Sequence, residues 1–194
     1  MEEETIQNFK KTVSQFTEIA DEQMFSFFKL LTKITYKKDE YFATPANPSP
    51  YLSFIAKGLF RQYVIDRKGN EVIREFRGEN NFMASYYAII HDKFPPIYIQ
   101  ALEDSEIYAI PRTEFIKIWQ KDTNWKIFLQ KHTELDCHKL MKREFGFLLD
   151  DAKTRYYDFL DDYKPFVERI KLRDIASYLG ITPETLSRIR SDKS

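Results

Sequence analysis

The residues whose types and spacing carry the most specific chemistry lie near the C-terminus, in Thr182-Pro183-Glu184-Thr185-Leu186-Ser187-Arg188-Ile189-Arg190. Glu184 and Arg188 are four positions apart, so on a helix they share one face. These groups read base edges in a major groove: arginine donates two parallel bonds to guanine, glutamate accepts from the cytosine amino group, and hydroxyls serve several partners. Thr182, Thr185, Ser187 and Arg190 extend that polar set, while Leu186 and Ile189 form the apolar face. Upstream, Lys171 and Arg173 are placed to meet phosphates, whose negative charge any DNA reader must neutralise. From Phe166 to Ser194 six basic residues (Arg169, Lys171, Arg173, Arg188, Arg190, Lys193) stand against four acidic ones (Glu168, Asp174, Glu184, Asp192). This local bias matters because the whole chain, with 30 basic and 30 acidic side chains, has no net charge with which to coat nucleic acid.

Other candidate groups point away from catalysis. His91, His132 and His138 are the histidines. His132 and His138 are six apart, which does not give the i, i+4 pair that chelates a metal on one helix, so packing roles are expected. Cys137 stands alone, which excludes an internal disulfide and a four-thiolate cluster and fits a reducing compartment. As a redox thiol it has no resolving cysteine in the chain. The pairs Asp150-Asp151 and Asp161-Asp162 flank a helical segment and read as caps or solvated faces. There is no nucleophile motif, no Walker A loop and no Gly-x-Gly-x-x-Gly fingerprint. We therefore assign no catalytic residue, no metal ligand and no cofactor, and expect a protein that is not an enzyme. The acidic start Met1-Glu2-Glu3-Glu4 is unlike a secretory signal, and no apolar run approaches the ~20 residues of a membrane span. A cytoplasmic protein with no membrane partner is expected.

The elements that must position the reading face follow from periodicity. Ile175, Ala176 and Leu179 give a first short helix its apolar face, Gly180 supplies a left-handed turn, Thr182 caps a second helix, and Pro183 sits at its first position. Two short helices joined by such a turn form a helix-turn-helix. Another helix is expected over Ala152 to Tyr163. After Pro111 a helical period lasts to about Leu149, with Trp125, Phe128, His132, Leu135, His138, Met141, Phe145 and Leu148 on one seam. This seam either packs on its own β domain or pairs with a second subunit, and its length favours the second. From Ile34 to Ile110 short β-branched and aromatic runs alternate with turn residues. Strands are expected at Tyr51–Ile55, Ile97–Ala101 and Glu106–Ile110, and Arg67-Lys68-Gly69-Asn70 links two strands of a hairpin, Gly58 to Asp66 and Glu71 to Phe76. Amphipathic helices open the chain, with Ile6, Phe9, Val13, Phe16, Ile19, Met24, Phe27, Phe28 and Leu31 as their apolar positions.

In this order, and in the run Pro183-Glu184-Thr185-Leu186-Ser187-Arg188, the sequence resembles the Crp/Fnr transcription regulators over nearly its whole length. Ala152 to Tyr163 is similar to the segment those proteins carry just after their dimer helix. The resemblance implies an α+β fold in three parts: a jelly-roll (double-stranded β-helix) sensor domain with N-terminal helices over residues 1–111, a long dimerisation helix over 112–149, and a winged-helix-like helix-turn-helix domain over 150–194. It places the base-contacting Glu and Arg of the family on Glu184 and Arg188. It also implies a homodimer that reads an inverted repeat in double-stranded DNA, RNA polymerase as a further contact, and an unknown small-molecule effector on the β-roll.

Two departures from the family pattern bear on that effector. In the stretch Gly78 to Leu102, Gly78 and Glu79 fit the start of the cyclic-nucleotide cassette, but Met83 stands near the expected sugar-binding Glu and Pro95-Pro96 replace the phosphate-binding Arg pair. A buried phosphate without its cation is costly, which argues against cyclic AMP or cyclic GMP. Arg74 and Arg77 are candidates to replace that cation, with Glu79, Met83 and Ile97 completing the candidate ligand set. The family's β wing has no counterpart before Ser194, so affinity is expected to rest more on dimerisation and on the reading helix. The alternative reading is a ligand-binding or protein-interaction module with a vestigial helix-turn-helix.

Overall fold

A computed structural model describes residues 2–83 and 93–191; Met1, His91, Asp192, Lys193 and Ser194, named above, lie outside them. Among the described residues, helices α1 (Glu2–Ser14) and α2 (Asp21–Phe28) precede eight strands: β1 (Thr32–Tyr36), β2 (Tyr41–Ala43), β3 (Tyr51–Lys57), β4 (Phe60–Ile65), β5 (Glu71–Arg77), β6 (Phe82–Met83), β7 (Tyr98–Ala101) and β8 (Ser105–Pro111). Helices α3 (Arg112–Lys121), α4 (Thr123–Leu149), α5 (Ala152–Asp162), α6 (Leu172–Leu179) and α7 (Pro183–Ser191) follow, with one 3-10 turn at Val167–Arg169.

The described strands form two four-stranded sheets, ordered β1-β8-β3-β6 and β2-β7-β4-β5, and every pairing is antiparallel. This is the roll expected from strands with no helix between them. Alternation along β8 explains why the first sheet is covered on both faces. Ile107 and Ala109 point into the roll with Ile55, Phe60 and Ile99, whereas Tyr108 and Ile110 join the aromatic layer under α1 and α2. That layer is built from Phe9, Phe27, Phe54, Phe82, Trp125 and Phe128, with Phe27 and Trp125 centroids 3.9 Å apart. Full burial of each such ring is worth about 1.5–3 kcal/mol.

The hairpin appears where its turn residues place it, with Phe60 opposite Arg77 and Ile65 opposite Glu71. Asp66 closes the turn by accepting from the Lys68 and Asn70 backbone N–H groups at 2.8 and 2.9 Å.

One expectation needs correction. The helical period after Pro111 does not form a single helix over 112–149, because it breaks at Asp122, which adopts extended backbone (φ −116°, ψ 119°). Asp122 caps the helix that follows by accepting from the Asn124 N–H at 2.8 Å. The long helix α4 therefore starts at Thr123, and its 27 residues span about 40 Å. Its first turns bury Trp125, Phe128 and Leu129 against the β-roll, while Leu135, Leu140, Met141, Phe145, Leu148 and Leu149 are exposed. The seam thus divides between the two accounts given for it: the upper turns pack on the chain's own roll and the lower ones are uncovered.

Candidate nucleic-acid interface and effector cavity

The helix-turn-helix is assembled locally. Ile175, Ala176 and Leu179 of α6 and Leu186 and Ile189 of α7 are buried together. Ala176 is 1% exposed at the crossing, where a larger side chain would part the two helices. Gly180 ends α6 in the left-handed region at φ 67°, and the Ile181 N–H closes the end of the helix on the Ala176 carbonyl at 3.0 Å. A Cβ at Gly180 would also stand 2.9 Å from the Phe147 ring of α4, so backbone and packing both select glycine. Thr182 Oγ1 accepts from the Thr185 N–H at 3.2 Å, which caps α7.

Opposite that apolar face Glu184, Ser187, Arg188 and Arg190 are exposed, with Thr182 beside them and Thr185 half-buried. Glu184 is held below the usual carboxylate range by its own backbone N–H, the Thr182 hydroxyl and the Arg188 charge, so it stands ready as an ionised acceptor. Lys171 precedes the first turn of α6 and is exposed. Arg173 is exposed as well, its Nε 3.6 Å from the buried carboxylate of Asp174.

The helix-turn-helix and the helix before it dock on the outer face of the β2-β7-β4-β5 sheet. Leu59, Tyr63, Ile73 and Phe76 of the roll share an apolar cluster with Tyr156, Phe159, Phe166 and the α6–α7 core. Around it run polar contacts that sequence reasoning missed. Buried Arg61 of β4 donates to Gln100 Oε1 from Nε at 2.9 Å and from Nη2 at 2.7 Å, and lies 2.7 Å from Glu71 and 3.3 Å from Asp174 of α6. Ser177 of α6 accepts from the Ile73 N–H and donates to the Glu71 carbonyl, each at 3.0 Å. Arg169 bridges Glu79 and Glu103, each at 2.6 Å. The sheet comes so near that a Cβ at Gly78 would sit 2.7 Å from the Phe166 ring. The available signal was Arg61 itself, a lone cation inside the strand run Leu59 to Ile65.

The residues proposed for the effector separate into two groups. Arg74, Arg77 and Ile97 line a cavity of about 560 Å³ between the roll and α4, with Phe42, Gln62 and Thr133 among its other walls. Pro95 and Pro96 line it too. Glu79 and Met83 do not. Glu79 is turned to Arg169 and the Gly58 N–H, and although burial opposes ionisation, these partners hold its carboxyl below the usual range. Met83, 1% exposed, is packed inside the roll.

Arg77 is buried and already engaged, 2.6 Å from Glu75 and 2.8 Å from Asp136 of α4, and it donates to the Phe82 carbonyl. Burial works against its charge, but the two carboxylates outweigh that and raise its pKa. Arg74, half-buried, forms no ion pair among the described residues.

His132 sits among Phe16, Phe82 and Phe128, its Nδ1 3.6 Å from Asp136, and burial lowers its pKa to about 4 although Asp136 pulls the other way. His138 and Cys137 are exposed on α4. Asp151 caps α5 by accepting from the Thr154 N–H at 2.7 Å, and Asp162 pairs with Lys142 at 2.8 Å. Among the described residues no helix is long and apolar enough to cross a membrane, and no group of three metal-ligating side chains converges.

Comparison with known proteins agrees with this geometry. Residues 33–122 match the family model of the cyclic nucleotide-binding domain. The sequence matches no curated protein. Among solved structures the chain is similar to FixK2 of Bradyrhizobium japonicum, with 21% identity, a TM-score of 0.75, and coverage of 84% of this chain and 83% of that one. It is similar to CLP of Xanthomonas campestris, a c-di-GMP-responsive global regulator, with 12% identity, a TM-score of 0.72, and coverage of 89% and 91%. It is also similar to a transcriptional regulator of the Crp/Fnr family from Eubacterium rectale, with 16% identity, a TM-score of 0.71, and coverage of 88% and 82%.

Proposed function

From the Crp/Fnr fold of this chain, with its cyclic nucleotide-binding domain, we infer that it is a sequence-specific DNA-binding transcription regulator that acts in the cytoplasm as a homodimer. The observation that carries this reading is the face of α7. Glu184 and Arg188 are exposed one turn apart on a helix whose other side is buried and whose start is capped. Nothing in the packing of α7 requires this face to be charged, whereas a major groove does.

In the dimer the uncovered apolar residues of α4 pair with those of a second copy, and the two α7 helices enter successive major grooves about 34 Å apart on an inverted repeat. Glu184 and Arg188 specify bases. Thr182, Thr185, Ser187 and Arg190 assist, and Lys171 and Arg173 hold phosphates. RNA polymerase is a further contact of the DNA-bound dimer.

The cavity of about 560 Å³ is the seat of the effector, which shifts the population of reader orientations through α4. Cyclic AMP does not suit it. The Arg77 charge is matched by Glu75 and Asp136, and prolines occupy the wall where a phosphate cation would stand.

The test is a DNA selection with the purified protein at a fixed salt concentration, repeated with Arg188→Glu. The parent is expected to enrich a palindrome with half-sites one helical turn apart. The variant is expected to lose the enrichment and part of its salt dependence. A variant that enriches the same palindrome equally well overturns the reading and favours an interaction module instead.

A further inference from the structure

A second, smaller cavity lies outside the roll, at the junction of α4, α5, α6 and β5. Its volume is about 220 Å³, and Phe76, Phe147, Phe159, Tyr163, Phe166 and Tyr178 form its aromatic walls. A dry apolar cavity of ~150 Å³ accepts benzene, so this space suits one substituted aromatic ring.

Two guanidinium groups complete the lining. Arg143 donates to the carbonyls of Arg74, Ile73 and Tyr178 at 3.1, 2.9 and 2.9 Å and lies 4.4 Å from the Tyr178 ring centroid. Arg155 donates to the carbonyls of Asp150 and Leu179 at 2.6 and 3.3 Å and lies 5.0 Å from the Phe147 centroid. All these acceptors are neutral, and in both residues Nε is buried with no hydrogen-bond partner among the described residues.

The other charges at the cavity do not balance them. Glu75 is held by Arg77, and Asp162 is held by Lys142. Asp158 and Lys139 remain, of opposite sign. With those pairs matched, Arg143 and Arg155 remain as two guanidinium groups that line the aromatic space without a matching carboxylate among the described residues, and burial already depresses the pKa of Arg143.

We propose that this cavity is a binding site for a small single-ring aromatic anion, benzoate-like or phenolate-like, seated between Arg143 and Arg155. Its ring packs on the phenylalanine and tyrosine walls, and its charged oxygens lie against the two guanidinium groups. The site is distinct from the roll cavity, with which it shares the wall residues Glu75, Lys139, Arg143, Tyr163 and Tyr178. Because its walls come from the long helix, the sheet and the reader together, an occupant fixes the reader against α4. That consequence, unlike the binding itself, rests on the DNA-regulator reading.

The experiment is calorimetric titration of the full chain with sodium benzoate, benzamide and inorganic phosphate, without DNA, so that failure here and failure of the DNA reading are told apart. Saturable benzoate binding is expected, with benzamide and phosphate at least about tenfold weaker. Arg155→Gln should weaken benzoate by about tenfold or more, while Arg74→Gln in the roll leaves it unchanged. In the unmodified chain, intermolecular nuclear Overhauser contacts from the benzoate ring to Phe147 and Phe159 locate the ligand without reliance on any variant. Equal affinity for benzoate and benzamide, absence of saturation, or contacts to Phe42 and Ile97 of the roll instead would each overturn the proposal.

Discussion

His132 illustrates how a single residue in this chain is governed by its surroundings. Its ring is enclosed by Phe16, Phe82 and Phe128, and the charged groups facing it are Asp136, Arg77 and Lys139. Burial keeps it neutral in the folded state down to about pH 4, from an ordinary value of 6.5. The unfolded chain therefore binds a proton at higher pH than the folded one. The stability this represents is fully present above pH 6.5 and is lost as pH falls from 6.5 toward about 4, a loss of about 3 kcal/mol. Urea unfolding across that range is expected to show the decline, and His132→Phe, which retains the ring contacts, is expected to flatten it. A parent whose stability is constant between those values would contradict the assignment. Asp136 and Glu79, whose carboxyls are lowered, release their contribution only at lower pH, beginning near their unfolded values of 3.8 and 4.5.

At the scale of elements the turn between α6 and α7 is the most constrained feature. Gly180 has φ 67°, and Phe147 approaches to within 2.9 Å of the position a Cβ would take. Gly180→Ala is expected to cost about 1–2 kcal/mol from the left-handed backbone alone, and more if Phe147 cannot turn aside. Equilibrium unfolding measures the loss. DNA affinity should fall with it, because a rotated α6 no longer presents α7 at the same angle. Both glycine and cap were legible from spacing. The break at Asp122 was not, since the apolar period runs through it, and only the packing of α3 and α4 on the roll decides that the helix restarts there.

For the whole molecule the uncovered part of α4 matters most. Phe145 and Met141 are 50% and 52% exposed in the single chain, and Leu148 and Leu149 more so. Met141→Glu combined with Phe145→Glu is expected to give a folded monomer by light scattering, with unchanged far-ultraviolet circular dichroism. On the proposed reading, operator affinity should fall far more than that of either half-site, since two linked copies of α7 would no longer act together. A double variant that remains dimeric would move the subunit interface elsewhere. The docked reader is the second feature at this scale. Arg61, Ser177 and Arg169 join α6 and its neighbours to the roll, so any change of reader orientation must break or carry these contacts.

What the sequence determined alone is whatever depends on near neighbours in the chain. This includes the strand runs and turn residues of the roll, the Asp66 turn, and the cap and glycine of the helix-turn-helix, parts whose order resembles that of the Crp/Fnr regulators. Local spacing suffices there because each of these features is satisfied within a few residues. Tertiary structure decided which charges are free. Arg77 and Arg74 look alike in the sequence, yet one is neutralised by Asp136 from a helix far along the chain and the other is not. Arg143 and Arg155 carry no distinguishing signal in the sequence, and it is folding that buries their Nε atoms beside an aromatic cavity. Burial and the pairing of distant charges are sums over the whole fold, and no local pattern contains them.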